Sequence, residues 1–106
     1  MEEGTRRLAT IETWFREIND RIEANALEHG SDPHVYEFIC ECSNIDCAER
    51  IPMTLSDYKH LRAHPARFAI VPGHEQPEIE VVVERTGFWI VEKQGSAAGF
   101  VAGRDA

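Results

Sequence analysis

Three cysteines, Cys40, Cys42 and Cys47, stand within eight residues of one another, and the chain has no others. Cys40 and Cys42 are two apart, so at the end of a strand both sulfurs emerge on one face. The run Ser43, Asn44, Ile45, Asp46 has the composition of a turn that can bring Cys47 back toward them. Free cysteine is also a common small core residue, but three around one polar turn, with none elsewhere, fit a metal knuckle better than ordinary packing. An odd count leaves no closed disulfide framework, and a reducing cytosol, where the chain is expected to reside, keeps thiols free for metal. The reading is zinc, held by thiolates.

A tetrahedral structural site needs a fourth donor, and the five histidines supply the natural choices. His74 is favoured because it follows Pro72 and Gly73, a pair that forms a sharp turn and fixes the direction of the next side chain. His34 and Asp46 are weaker alternatives. His60 and His64 lie one helical turn apart, but no glutamate stands beside the first as the zinc-protease pattern requires; a solvent-facing pair near a helix carboxyl end is the plainer reading. His29 reads as a helix-end residue. With Cys40, Cys42, Cys47 and His74 as metal ligands the sphere is closed and the site structural; without His74 a position opens for chemistry, with Glu41 and Glu49 nearby as possible bases.

Around the knuckle the pattern predicts an α+β fold: an amino-terminal amphipathic helix, then a small zinc-stabilised, mainly antiparallel β-sheet with one short inserted helix. Leu8, Ile11, Phe15, Ile18, Ile22 and Ala26 recur at spacings of three and four, predicting a helix from about Thr5 to His29 that stops at Gly30, Ser31, Asp32 and Pro33. Residues 1–30 therefore form a helix that packs on the domain or pairs with the same helix of a second chain. Its heptad-like stripe breaks at Asn25, which tilts the choice toward packing within the chain. Residues 34–93 form the zinc-binding domain. Strands are predicted over Val35 to Cys42, around Ile51 and Met53, around Phe68 and Ile70, and over Ile79 to Glu84 and Phe88 to Glu92, the last two joined as a hairpin through Arg85, Thr86 and Gly87. Thr54 and Asp57 predict a capping box that opens a short helix, which Pro65 ends. Residues 94–106, rich in Gly, Ser and Ala, read as a flexible tail.

Charge and length limit the function classes. At 106 residues the chain builds one core, and a metal clip adds to what packing alone supplies. The formal charge of −8 opposes the counterion release on which nucleic-acid binding depends, so nucleic acid is not the expected partner. Arg6 and Arg7 follow Glu2 and Glu3 at helical spacing and read as an ion-paired face. No run is long and apolar enough for a membrane span, and the amino terminus lacks the apolar stretch of a secretion signal.

Taken together, CECSNIDCAERI, LSDYKHLRAHPARFAIVPGHEQPEIEVVVER and WIVEK, which span most of the chain, resemble a family of short uncharacterised bacterial proteins with a CxCx4C knuckle followed by a PGH motif. That resemblance implies a shared zinc-type site at Cys40, Cys42, Cys47 and His74, and no activity. The knuckle spacing alone is also similar to the post-SET zinc knuckle of lysine methyltransferases; nothing else in the chain is, which points to convergence. The expected function is a non-catalytic interaction or regulatory module, not an enzyme, acting through a protein partner or as a homodimer through the amino-terminal helix. Trp14, Phe15 and Trp89 are its candidate contact residues. A thiol-based redox or metal sensor is the alternative, and a metal-dependent hydrolase a weaker one.

Overall fold

Spacings of three and four do produce a long helix: in the computed structural model, which describes residues 3–29 and 34–104, α1 runs Glu3–His29. The expected stop at Gly30 to Pro33 lies outside the described residues. Five strands and two further helices follow, namely β1 Val35–Ile39, β2 Arg50–Thr54, α2 Leu55–Arg62, β3 Arg67–Ile70, β4 Glu80–Arg85, β5 Trp89–Lys93 and α3 Gly95–Arg104. The class is α+β with every strand pair antiparallel.

The strands form two small sheets, where the sequence suggested one. β1 pairs with β2, Phe38 opposite Ile51, and β5 lies between β3 and β4 in the other sheet. The expected strand through Cys42 ends instead at Ile39, because the next two backbone amides part company. The N–H of Cys40 donates to the Glu49 carbonyl at 3.0 Å, extending the first ladder, while the N–H of Glu41 donates to Ala69 of β3 at 2.8 Å. The knuckle is therefore the junction of the two sheets.

α2 forms where the capping box predicts it. Asp57 N–H donates to Thr54 Oγ1 at 3.0 Å and Thr54 N–H to Asp57 Oδ2 at 3.1 Å, satisfying two amides that the helix itself leaves unpaired. Its Leu55, Tyr58 and Leu61 are buried, and the Tyr58 ring stacks on Phe38 with centroids 4.6 Å apart. Phe38, Ile51, Met53, Phe68, Ile70 and Val91 complete the centre of the core.

α1 lies against β1, α2 and α3. Its buried face is not centred on the apolar stripe. Ile11, Phe15 and Ala26 are buried, but so are Glu12, Thr13, Arg16 and Asn19, while Ile18 is 41% exposed and Trp14 48%. The helix is turned so that a polar row faces inward. Lys93 of β5 meets Glu12 and Glu80 in a fully buried cluster, and both Lys93 Nζ, at 4.5 Å, and the Arg16 guanidinium, at 4.6 Å, lie over the Phe68 ring.

Residues 95–104 of the expected flexible tail are instead the helix α3, with Ala97 and Val101 buried. Small side chains let α3 approach α1, where Ala9 is also fully buried. Arg16 then donates to the carbonyls of Val101, at 3.1 Å, and Pro65, at 2.7 Å. Val101 is in the last turn of α3, where carbonyls lack helical partners and a cation is favoured. Among the described residues no helix is long and apolar enough to cross a membrane.

Candidate metal centre

Each donor of the knuckle is aimed by local backbone chemistry. Cys40 follows β1 directly. The turn between Cys42 and Cys47 closes through Cys47 N–H to the Asn44 carbonyl, 3.0 Å, and through Asp46 N–H to Asn44 Oδ1, 3.0 Å, an Asx turn of the kind asparagine favours. On the other side of the site, His74 N–H donates to the Val71 carbonyl at 3.0 Å across Pro72 and Gly73. Gly73 sits at φ +91°, which a residue with a Cβ adopts only under strain, so the Pro-Gly pair is required by the turn that delivers His74.

The result brings Cys40, Cys42, Cys47 and His74 together with all four donor atoms within 4.8 Å of one another. His74 Nδ1 lies 3.5 Å from Cys40 Sγ and 3.8 Å from Cys47 Sγ. The other ring nitrogen, Nε2, faces Glu49 Oε2 at 3.6 Å. Cys40 and Cys42 are buried, whereas Cys47 and His74 are half-buried at the rim. Val71 N–H donates to Cys40 Sγ at 3.2 Å, and no disulfide joins the three sulfurs. This group of four is able to hold a metal ion.

Proton affinities differ across the three sulfurs. A hydrogen bond from the Cys40 thiol is the largest influence on Cys42 and brings it down to about 5, so Cys42 is the first to become a thiolate. The same bond and burial push Cys40 up, and burial raises Cys47. A cation at the centre favours the deprotonated form of all three.

Other sequence candidates are placed elsewhere. His34 is exposed, its ring edge-on to Tyr36, and Asp46 is also exposed and does not join the cluster. His60 and His64 are exposed, their rings 6.3 Å apart, and His60 Nε2 stands 4.0 Å from Glu84. Among the described residues no second group of three or more such donors converges. Trp89 is half-buried in β5 and Phe15 is buried, so Trp14 is the exposed member of the three aromatic contact candidates.

Glu41 is the residue that sequence reasoning misplaced. Alternation puts it opposite Cys40, which reads as solvent, but α1 covers that face. Its carboxylate is fully buried, accepting from Asn19 Nδ2 at 2.9 Å and from Ala69 N–H at 3.0 Å, and burial pushes it up to about 7. Its oxygens serve the fold. Beyond the knuckle, Ser43 Oγ donates to Gln76 Oε1 at 3.0 Å, and Gln76 N–H donates to Glu80 Oε2 at 2.8 Å. The loop carrying His74 is thereby tied to the buried Lys93 cluster.

No family model, curated protein or solved structure matches this chain.

Proposed function

We propose that Cys40, Cys42, Cys47 and His74 bind one structural zinc ion, and that the chain is a small non-catalytic module in which the metal fixes a surface for protein association. The observation that carries this reading is the spacing of the donors. Tetrahedral zinc, with bonds of about 2.3 Å to sulfur and 2.0–2.1 Å to nitrogen, separates its ligands by about 3.5–3.8 Å. The two sulfur-to-nitrogen distances, 3.5 and 3.8 Å, are of that size. Three thiolates and an imidazole favour zinc over magnesium or calcium, which take oxygen donors.

Four protein donors leave no coordination position for water, so the ion has no route to a hydroxide nucleophile. Glu49 at Nε2 is the carboxylate partner that orients a ligating imidazole through its remote nitrogen. The ion then joins the sheet junction to the loop after β3, 27 residues beyond Cys47. A reducing cytoplasm suits thiolates in this role.

Metal analysis of purified wild type beside His74→Ala, His74→Cys and Cys42→Ser tests the assignment. One equivalent of zinc is expected in wild type and His74→Cys, with zinc and cooperative unfolding lost together in Cys42→Ser and severely weakened in His74→Ala. A wild type that folds without metal and ignores added zinc contradicts it. The second reading, a thiol-based sensor, draws on one observation, the half-buried Cys47 thiol at the rim. It requires that moderate peroxide release zinc reversibly, measured with a chromogenic chelator.

A further inference from the structure

The exposed side of α1 carries a second heptad that the apolar stripe conceals. Glu3, Arg7, Thr10, Trp14, Glu17 and Arg21 follow at alternating spacings of four and three, and all but the half-buried Thr10 are exposed. On a helix these positions form one seam, opposite the row Glu12, Arg16 and Asn19 that faces the core. Trp14 is 48% exposed on this seam and Ile18 is 41% exposed beside it.

A groove of about 460 Å³ runs along the first half of the seam, lined by Arg7, Thr10, Ile11 and Trp14 among others, with Ile45 of the knuckle turn as its far wall. Positions 7, 10, 11 and 14 are the four that make a hole for one knob of a facing helix. The large knob that this face itself offers is Trp14.

We infer that a second copy of this chain docks antiparallel on α1, the Trp14 of each copy seated in the groove of the other. Charge complementarity fixes the arrangement. Twofold pairing about the midpoint of Thr10 and Trp14 sets Arg7 against Glu17 of the second copy and Glu3 against Arg21 of the second copy, each contact occurring twice. The same register sets Trp14 against the second copy's Thr10, beside the hole. The charge pairing and the seat of Trp14 agree on one register. Parallel pairing instead opposes Glu3 to Glu3 and Arg7 to Arg7.

The chain is strongly acidic overall, which discourages self-association, yet on this seam two acidic residues face two arginines. The contact is narrow: a 27-residue helix is about 40 Å long, and one helix face with a loop falls short of the usual 800 Å² per partner. Association is therefore weak and concentration-dependent. The pairing rests on the zinc reading only through Ile45, which the ordered knuckle holds at the groove.

Sedimentation velocity of the zinc-loaded full chain from about 5 µM to about 1 mM tests the inference across the range where a weak dimer dissociates. The average mass is expected to rise toward twice the monomer. Trp14→Ala should weaken association at least about 10-fold, and Arg7→Glu or Glu17→Arg about 3- to 10-fold each. The double swap Arg7→Glu with Glu17→Arg should return it to within about twofold of wild type, a recovery that only this register gives. Circular dichroism confirms that each exposed-site variant keeps its helix. Monomer at every concentration, or a dimer indifferent to Trp14→Ala and to the swap, overturns the inference. Zinc content measured on the same samples separates the two ideas: a zinc-loaded monomer defeats the pairing alone, and a metal-free folded dimer defeats the zinc reading alone.

Discussion

The side-chain amide of Asn19 pairs with both backbone groups of Ile39: Oδ1 accepts from the Ile39 N–H at 2.8 Å, and Nδ2 donates to the Ile39 carbonyl at 2.8 Å. Asn19 thus stands in for a neighbouring strand at the free edge of β1, and its Nδ2 also donates to Glu41. One amide from α1 holds the end of the strand that leads into Cys40.

Asn19→Ala leaves the Ile39 backbone and the buried Glu41 carboxylate short of partners. Each unsatisfied buried group costs about 1–3 kcal/mol, so a loss of about 2–5 kcal/mol is expected. Urea denaturation of the metal-loaded protein measures it, and a loss below the cost of a single buried hydrogen bond contradicts this role for Asn19.

Lys93→Met removes the cation between Glu12 and Glu80 and leaves two buried carboxylates facing each other. Breaking a buried ion pair from one side costs about 3–5 kcal/mol. Adding Glu12→Leu to Lys93→Met should recover part of that loss, because one of the stranded charges is gone. A double variant less stable than the single one counts against the cluster as described.

The same cluster gives a pH dependence with a definite sign. It holds one cation and two carboxylates, and burial, opposed by Lys93, raises Glu12 well above its ordinary value of 4.5. A carboxyl raised on folding binds more protons in the native state. Its share of stability is therefore complete below about the ordinary value and falls as pH rises through the folded value. Glu12→Gln cannot ionise, so its disadvantage relative to wild type should be greatest in acid and shrink toward neutrality. Denaturation of both proteins at matched pH, with zinc in excess, reads the difference; a gap that widens as pH rises refutes the assignment.

Glu49→Gln weakens the hold on the imidazole without removing a donor. Loss of such a partner typically lowers metal affinity about 10- to 100-fold, and the lower end is expected because Glu49 is largely exposed. Chelator competition gives the value, with overall stability in saturating zinc nearly unchanged. Unaltered affinity means the carboxylate has no hold on the ring.

Local rules made much of this legible. Thr54 and Asp57 announce the start of α2, Pro72 and Gly73 the turn that presents His74, and Ile79 to Glu92 the β4–β5 hairpin. The four donors of the candidate site were named from residue type and spacing, and the fold brings them together. What periodicity misread were places where polar groups are buried with partners distant in sequence. Glu41 reads as solvent-facing because nothing local shows that Asn19, 22 residues earlier, will receive it. The apolar stripe of α1 hides the inward row of Glu12, Arg16 and Asn19 for the same reason. α3 was missed because Ala97 and Val101 bury little surface, and the carbonyl bond from Arg16 spans 85 residues.

The uneven spacing of the four donors also bears on the order in which the chain organises itself. On the zinc reading, three thiols within eight residues offer a local chelate able to meet an ion while the rest is still a coil, at small entropic cost. Closing the imidazole onto it encloses β2, α2 and β3 in a single loop. Refolding should therefore accelerate when the ion is supplied at the outset, and slow when it is added only after collapse. In kinetic terms the zinc reading makes the knuckle the expected nucleus, from which the two sheets grow outward.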